Sequence, residues 1–146
     1  MDSVSRSVDS DSYSSVMSSI FTKIIDGEIP SHRIHEDDRT YAFLDINPRQ
    51  PGHTLVIPKI EVDHLFDLPP EDYEALWGTC RRVAEALKAA TGCARVAVIV
   101  FGYEVAHAHV HLIPTNELGD IPFPPIDTAA QSGLASMAQA VTTAIA

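Results

Sequence analysis

The stretch Val105-Ala-His-Ala-His-Val-His-Leu-Ile-Pro114 places three histidines, His107, His109 and His111, at alternate positions. In an extended chain successive side chains point to opposite faces, so this spacing predicts three imidazoles in a row along one face of a strand. The residues between and beyond them, Ala108, Val110 and Leu112, are apolar and give the opposite face something to bury. Imidazole changes charge near neutral pH and can act as nucleophile, acid, base or metal ligand. The strand therefore predicts both a sheet with an apolar backing and the place where chemistry occurs.

Working outward, Arg95-Val-Ala-Val-Ile-Val-Phe101 reads as a second strand, and Gly102-Tyr103-Glu104 turns it into the histidine strand. Residues 71–91 have helical periodicity: Leu76, Trp77, Cys80, Val83 and Leu87 form an apolar stripe, and Gly92 stands where a helix should stop. His53-Thr-Leu-Val-Ile-Pro58 is a β-branched run suited to a buried strand. Residues 32–36 and 40–45 flank an acidic break at Asp37-Asp38-Arg39 and predict a hairpin. Ile20-Phe21-Thr22-Lys23-Ile24-Ile25 has helical or turn character. After the prolines at 122, 124 and 125, the chain from about Thr128 is Ala-rich and helix-permissive. Short turns between neighbouring strands imply an α+β fold: an antiparallel sheet of about five strands with a long helix and a C-terminal helix, the helices on one face. The expected organisation is a disordered Ser-rich tail over residues 1–18, one domain over 19–125 and a helical extension over 126–146.

Bulk properties narrow the partners. The chain has 146 residues, room for one domain with a real core. Its formal net charge of -10 repels a phosphate backbone, so a nucleic-acid partner is disfavoured while a small nucleotide in a local pocket is not. No stretch approaches the roughly 20 apolar residues needed to span a bilayer, so no membrane partner is expected. The Ser-rich start lacks the apolar core of a secretory signal, which makes the cytoplasm the expected compartment. Cys80 and Cys93 have neither disulfide-framework nor metal-site spacing and are expected to be buried thiols.

The residues alone leave three readings of the histidine row. Surface or core packing would bury several imidazoles, each costing on the order of 1–3 kcal/mol if left without a partner. A zinc site would use His-x-His with a further ligand from another element, for which His53 and His64 are the contributors at hand. Covalent catalysis would use the middle imidazole on phosphorus, with its neighbours fixing the tautomer and serving the phosphoryl oxygens and leaving group.

The run His107-Ala-His-Val-His-Leu-Ile113 resembles the His-x-His-x-His-x-x signature of the histidine-triad (HIT) superfamily of nucleotide hydrolases and transferases. Ser19-Ile-Phe-Thr-Lys-Ile-Ile-Asp-Gly-Glu-Ile-Pro30, Glu36-Asp-Asp-Arg39, Ala42-Phe-Leu-Asp-Ile-Asn-Pro48 and Pro51-Gly-His-Thr-Leu-Val-Ile-Pro-Lys59 resemble its nucleotide-binding, HINT-like branch in the same order. The resemblance implies a HIT-like fold whose sheet continues across a homodimer, with the helix over 71–91 packed at the interface. It implies that His109 is the nucleophile, that His107 and His111 orient it and serve the phosphate oxygens and leaving group, and that His53 completes the imidazole network. It further implies that Asp45 accepts the ribose hydroxyls and that Phe21, Ile24, Phe43 and Ile46 wall the base. Tyr103 and Glu104, which stand where family members often carry Gln-Ser or Gln-Glu, are expected to contact the nucleotide. Ser19 and Thr22 occupy the positions of a Cys-x-x-Cys that binds structural zinc in some bacterial members, so neither a metal nor another cofactor is expected. The implied activity is hydrolysis of a purine nucleoside phosphoramidate or an acyl or aminoacyl adenylate through a nucleotidyl-histidine, with AMP or a GMP-like nucleotide as product. The alternatives are a dinucleoside polyphosphate hydrolase or phosphorylase, and a nucleotide-binding interaction protein with weak turnover.

Overall fold

The structure, a computed structural model, describes residues 18–145. The tail expected over 1–18 thus lies outside the described residues except for Ser18. Strands β1 (Arg33–Glu36), β2 (Thr40–Leu44), β3 (Thr54–Pro58), β4 (Arg95–Ile99) and β5 (Val110–Thr115) form one antiparallel sheet in the order β1-β2-β3-β5-β4. The expected α+β architecture and five strands are present. Helix α1 (Ile20–Ile25) precedes the sheet, α2 (Pro70–Thr91) connects β3 to β4, and α3 (Thr128–Ser132) and α4 (Leu134–Ile145) follow it. Among the described residues no helix is long and apolar enough to cross a membrane.

Alternation divides the sheet into two faces. Ala42, Val56, Val110 and Leu112 face α2 and meet Leu76, Cys80, Val83 and Leu87, the stripe read from the sequence. Tyr41, Phe43, Leu55 and Ile57 point the other way and are covered by Phe21 and Ile24 of α1. Helices therefore lie on both faces, correcting the expectation of one: α1 is only six residues long, but Phe21 and Ile24 are spaced to bury together. Pro70 opens α2 at a first-turn position, where its missing N–H has no partner to lose, and Gly92 closes it in the left-handed region at φ 68°. Arg39 ties the start of α2 to the hairpin through Glu71 and Asp72, at 3.0 and 3.1 Å. Beneath them the buried hydroxyls of Thr40 and Thr79 lie 2.7 Å apart.

The histidine segment departs from expectation. β5 begins at Val110, so His111 alone of the three lies in the strand. The register pairs Val56 with Val110 and would set Pro58 opposite Ala108. Proline has no N–H to give a ladder, so the pairing ends. The freed Ala108 N–H instead bonds the Val62 carbonyl at 2.7 Å. β4 also stops early, at Ile99 opposite His111, leaving Val100 and Phe101 outside the ladder expected to reach residue 101. Gly133 separates α3 from α4. Leu134, Met137, Val141 and Ile145 of α4 are all exposed.

Candidate active site

The site is built where β3, β5 and α1 meet. Gly52, at φ 90°, brings the chain into β3 so close to the end of α2 that a Cβ there would lie 3.1 Å from Pro114 and 3.2 Å from Thr91. This turn delivers His53, whose ring nitrogens are both engaged: Nδ1 accepts the Arg49 N–H at 3.1 Å and Nε2 lies 2.9 Å from His111 Nδ1. Because His53 Nδ1 is the acceptor, Nε2 carries the proton and donates it to His111. His111 in its neutral form then keeps its own proton on Nε2. Asp45 Oδ2 lies 3.5 Å from the same His53 nitrogen, and Asp45 Oδ1 accepts the Asn47 N–H at 2.8 Å.

The same bookkeeping fixes the other two rings. His109 Nδ1 lies 2.7 Å from the carbonyl oxygen of His107. A carbonyl only accepts, so Nδ1 is protonated and Nε2 holds a lone pair. His107 is fully buried, with Nε2 2.8 Å from the Pro58 carbonyl and Nδ1 2.7 Å from the Ser19 hydroxyl. Phe21 stands edge-on to both His107 and His109, at centroid distances of 5.8 and 4.9 Å, and the His109 and His111 rings are 5.2 Å apart. The row survives in space although most of it has left the strand.

Burial sets the charge state. It lowers His111 to about 4, with the neighbouring His109 and His53 adding to the fall and Asp45 opposing it. Burial also lowers His53, against the pull of Asp45, and lowers His107. At neutral pH these three rings are uncharged, as the hydrogen bonds require. Burial likewise pushes the Cys80 thiol up to about 12, and both Cys80 and Cys93 are buried free thiols.

A cavity of about 580 Å³ opens over this network, lined by Arg49, His53, His109, His111, Tyr103, Glu104 and the apolar side chains of Ile99, Phe101 and Ile121. Tyr103, 92% exposed, stands at its mouth. The cavity brings together His53, His109, His111, Tyr103 and Glu104 of the expected set. His107 lies beneath it with both nitrogens engaged elsewhere, so it is not free to serve a phosphate oxygen. Phe21, Ile24 and Phe43 are buried in the core between α1 and the sheet, whereas Ile46 is 79% exposed beside Asp45. Ligand atoms of Asp45, His53 and His111 lie within 4.8 Å of one another, the described group able to converge on an ion. His64, the other histidine weighed for a metal, is exposed and paired with its neighbour Asp63 at 3.7 Å.

Three residues of this network were not anticipated in that role: Ser19, Thr22 and Glu61. Ser19 caps α1 by accepting the Thr22 N–H at 3.1 Å, and the Thr22 hydroxyl donates to Glu61 at 2.9 Å. A serine ahead of an apolar run was a visible cap signal; its bond to a histidine 88 positions away was not.

The sequence matches the HIT domain over residues 26–118. The adenosine 5'-monophosphoramidase of Saccharomyces cerevisiae is 40% identical over 99 residues, covering 67% of this chain and 63% of that protein. The purine nucleoside phosphoramidase of Escherichia coli is 37% identical over 107 residues, covering 68% of this chain and 89% of that protein. The crystal structure of a HIT family protein from Bacillus anthracis superposes with a TM-score of 0.73 and 31% identity, over 86% of this chain and 95% of that one. The domain match runs from the hairpin through the inner strands to the end of the histidine segment, and on that span the chain belongs to the HIT family.

Proposed function

We propose that this protein hydrolyses a purine nucleoside phosphoramidate, or a related acyl or aminoacyl adenylate, through a nucleotidyl intermediate on His109. The observation that carries the reading is the His109 tautomer: Nδ1–H is tied to the His107 carbonyl at 2.7 Å, so the lone pair is on Nε2, on a ring that lines the cavity. The names of the yeast and Escherichia coli relatives support the substrate class.

In the first step His109 Nε2 gives its electron pair to the α-phosphorus and the P–N bond breaks. The departing nitrogen leaves as the amine, taking one proton from solvent at the open mouth, because neutral His111 keeps its own. His111 Nε2–H donates a hydrogen bond to a phosphoryl oxygen as charge builds there. In the second step water attacks phosphorus, the bond to Nε2 breaks with its electron pair returning to the ring, and the water proton passes to solvent. Asp45 would accept the ribose hydroxyls, an acceptor-only role suited to a carboxylate. Ile46 would meet the base, with Phe21, Ile24 and Phe43 forming the floor behind it. Tyr103 and Glu104 would contact the nucleotide or its leaving group at the mouth.

The homodimer implied by the family resemblance belongs to the same proposal. β4 has no strand on its outer side among the described residues, and exposed Val98 and Phe101 flank that edge. On α2, Trp77 Nε1 is buried without a hydrogen-bond partner among the described residues.

The test compares a fluorogenic adenosine phosphoramidate with diadenosine polyphosphates, using wild-type protein and His109→Ala. Turnover of the phosphoramidate that is lost in the variant is expected. Preference for the polyphosphates would replace the substrate class, and nucleotide binding with turnover of neither would replace the enzyme reading.

A further inference from the structure

Ser19 has more partners than a helix cap needs. Its hydroxyl oxygen accepts the Thr22 N–H, as a cap should, and also lies 2.7 Å from His107 Nδ1. The opposite nitrogen of that ring faces the Pro58 carbonyl at 2.8 Å and must carry the proton. Nδ1 is therefore an acceptor, and the serine proton points to it. Behind Ser19, one carboxylate oxygen of Glu61 accepts both the Ser19 backbone N–H and the Thr22 hydroxyl. This anchors the start of α1 beneath the histidine segment.

We propose that Ser19 is a positioning residue for His109, acting through His107: Glu61 holds Ser19, Ser19 donates to His107 Nδ1, and the His107 carbonyl so fixed holds His109 Nδ1–H. The segment that carries His107 and His109 lies outside the sheet ladder. Its hold on the fold comes instead from the His107 ring, at Pro58 and Ser19, and from the Ala108 N–H on the Val62 carbonyl. Removing the serine hydroxyl removes one of these three tethers and leaves His107 Nδ1 only the longer approach of the Thr22 hydroxyl at 3.5 Å, so the ring is held firmly on its Pro58 side alone. A ring free to turn loosens the carbonyl of its own residue, three bonds from the ring, and His109 can then exchange its proton between nitrogens. A lone pair on Nδ1 faces away from any phosphorus in the cavity.

The bland alternative is that Ser19 only caps α1. Glycine separates the two roles, because it replaces serine at a cap for only a few tenths of a kcal/mol yet has no hydroxyl. Threonine keeps both functions. The imidazole nitrogens are read by NMR on 15N-histidine-labelled protein without substrate, and kcat and KM are read on the adenosine phosphoramidate. In Ser19→Gly the His107 Nδ1 resonance moves toward that of an unbonded acceptor, and His109 shows mixed tautomers. Its kcat falls about 10- to 100-fold with little change in KM, the scale at which a functional histidine responds to loss of an outer hydrogen-bond partner in metal sites. Ser19→Thr restores both readouts. Unchanged nitrogen resonances in Ser19→Gly, or failure of threonine to restore them, overturns the proposal. The kinetic arm rests on His109 as nucleophile. Absence of turnover in the wild-type protein would overturn that reading alone, with the nitrogen resonances still deciding the Ser19–His107 link.

Discussion

The two faces of the sheet are made from the same strands and do opposite work. On the α2 face, Ala42, Val56, Val110 and Leu112 meet the helix stripe in a contact of almost pure hydrocarbon. On the α1 face, hydrocarbon from Phe21, Phe43 and Leu55 gives way at one end to a cluster of imidazoles whose every assigned proton is fixed by a neighbour. β5 contributes to both: Leu112 is buried against α2 while His111, one residue before it, is half-buried at the cavity. Stability and chemistry are thus separated by a single side-chain alternation, which makes the separation open to experiment.

The largest effect is expected on the chemical face. His109→Ala should lower phosphoramidate turnover on the order of 10⁶-fold, as for loss of a catalytic nucleophile, an effect far larger than the loss in melting temperature from its buried ring and its bond to the His107 carbonyl. Substantial residual turnover would contradict a division of labour between the two faces. The mirror experiment is Leu76→Ala on the opposite face, where the side chain is fully buried. It should cost about 2–5 kcal/mol in urea unfolding while kcat of the folded fraction stays near wild type. A parallel loss of kcat would show the faces to be coupled.

If His111 donates to the phosphoryl oxygen as proposed, His111→Ala should cost about 10²-fold in kcat. It should also cost some stability, because His53 Nε2–H loses its acceptor. That mixed outcome, read by kinetics and melting together, marks the boundary between the faces.

The smallest effect comes from pH. Burial holds His111 at about 4 in the folded state, against about 6.5 in an unfolded chain. The unfolded state therefore binds more protons between these values, and stability falls as pH falls through that window. The contribution is complete above pH 6.5 or so. For a half-buried ring, screened by solvent, the loss by pH 4 is about 1–2 kcal/mol. His53 and His107 shift in the same direction and deepen the decline. Urea midpoints at pH 7 and pH 4.5 measure it, and a flat profile would mean the rings titrate alike in the folded and unfolded chain.

What the sequence reveals follows the same division. The α2 face was legible because hydrocarbon burial leaves periodicities: 3.6 residues along the helix stripe and two along β3 and β5. The identity of the triad was legible because alternate histidines are rare in an ordinary strand. Its backbone was not, because the interruption comes from Pro58, which sits opposite Ala108 yet lies fifty residues earlier. Phe21 and Ile24 looked the same whether they wall a base or fill a core, and the structure shows them buried. Ser19 and Glu61 were illegible as a pair, since a hydrogen bond across 42 residues leaves no local pattern.

The central claim is that His109 forms a covalent bond to the nucleotide through the nitrogen that the His107 carbonyl leaves unprotonated. The most direct measurement is rapid quenching of the protein with adenosine phosphoramidate at mildly alkaline pH, where phosphohistidine-type adducts survive, followed by mass mapping of the peptide that spans the histidine segment. An adenylyl group on His109, absent from His109→Ala and formed at a rate matching or exceeding turnover, is the predicted result. An adduct on another residue, or turnover with no adduct on any residue, would contradict it.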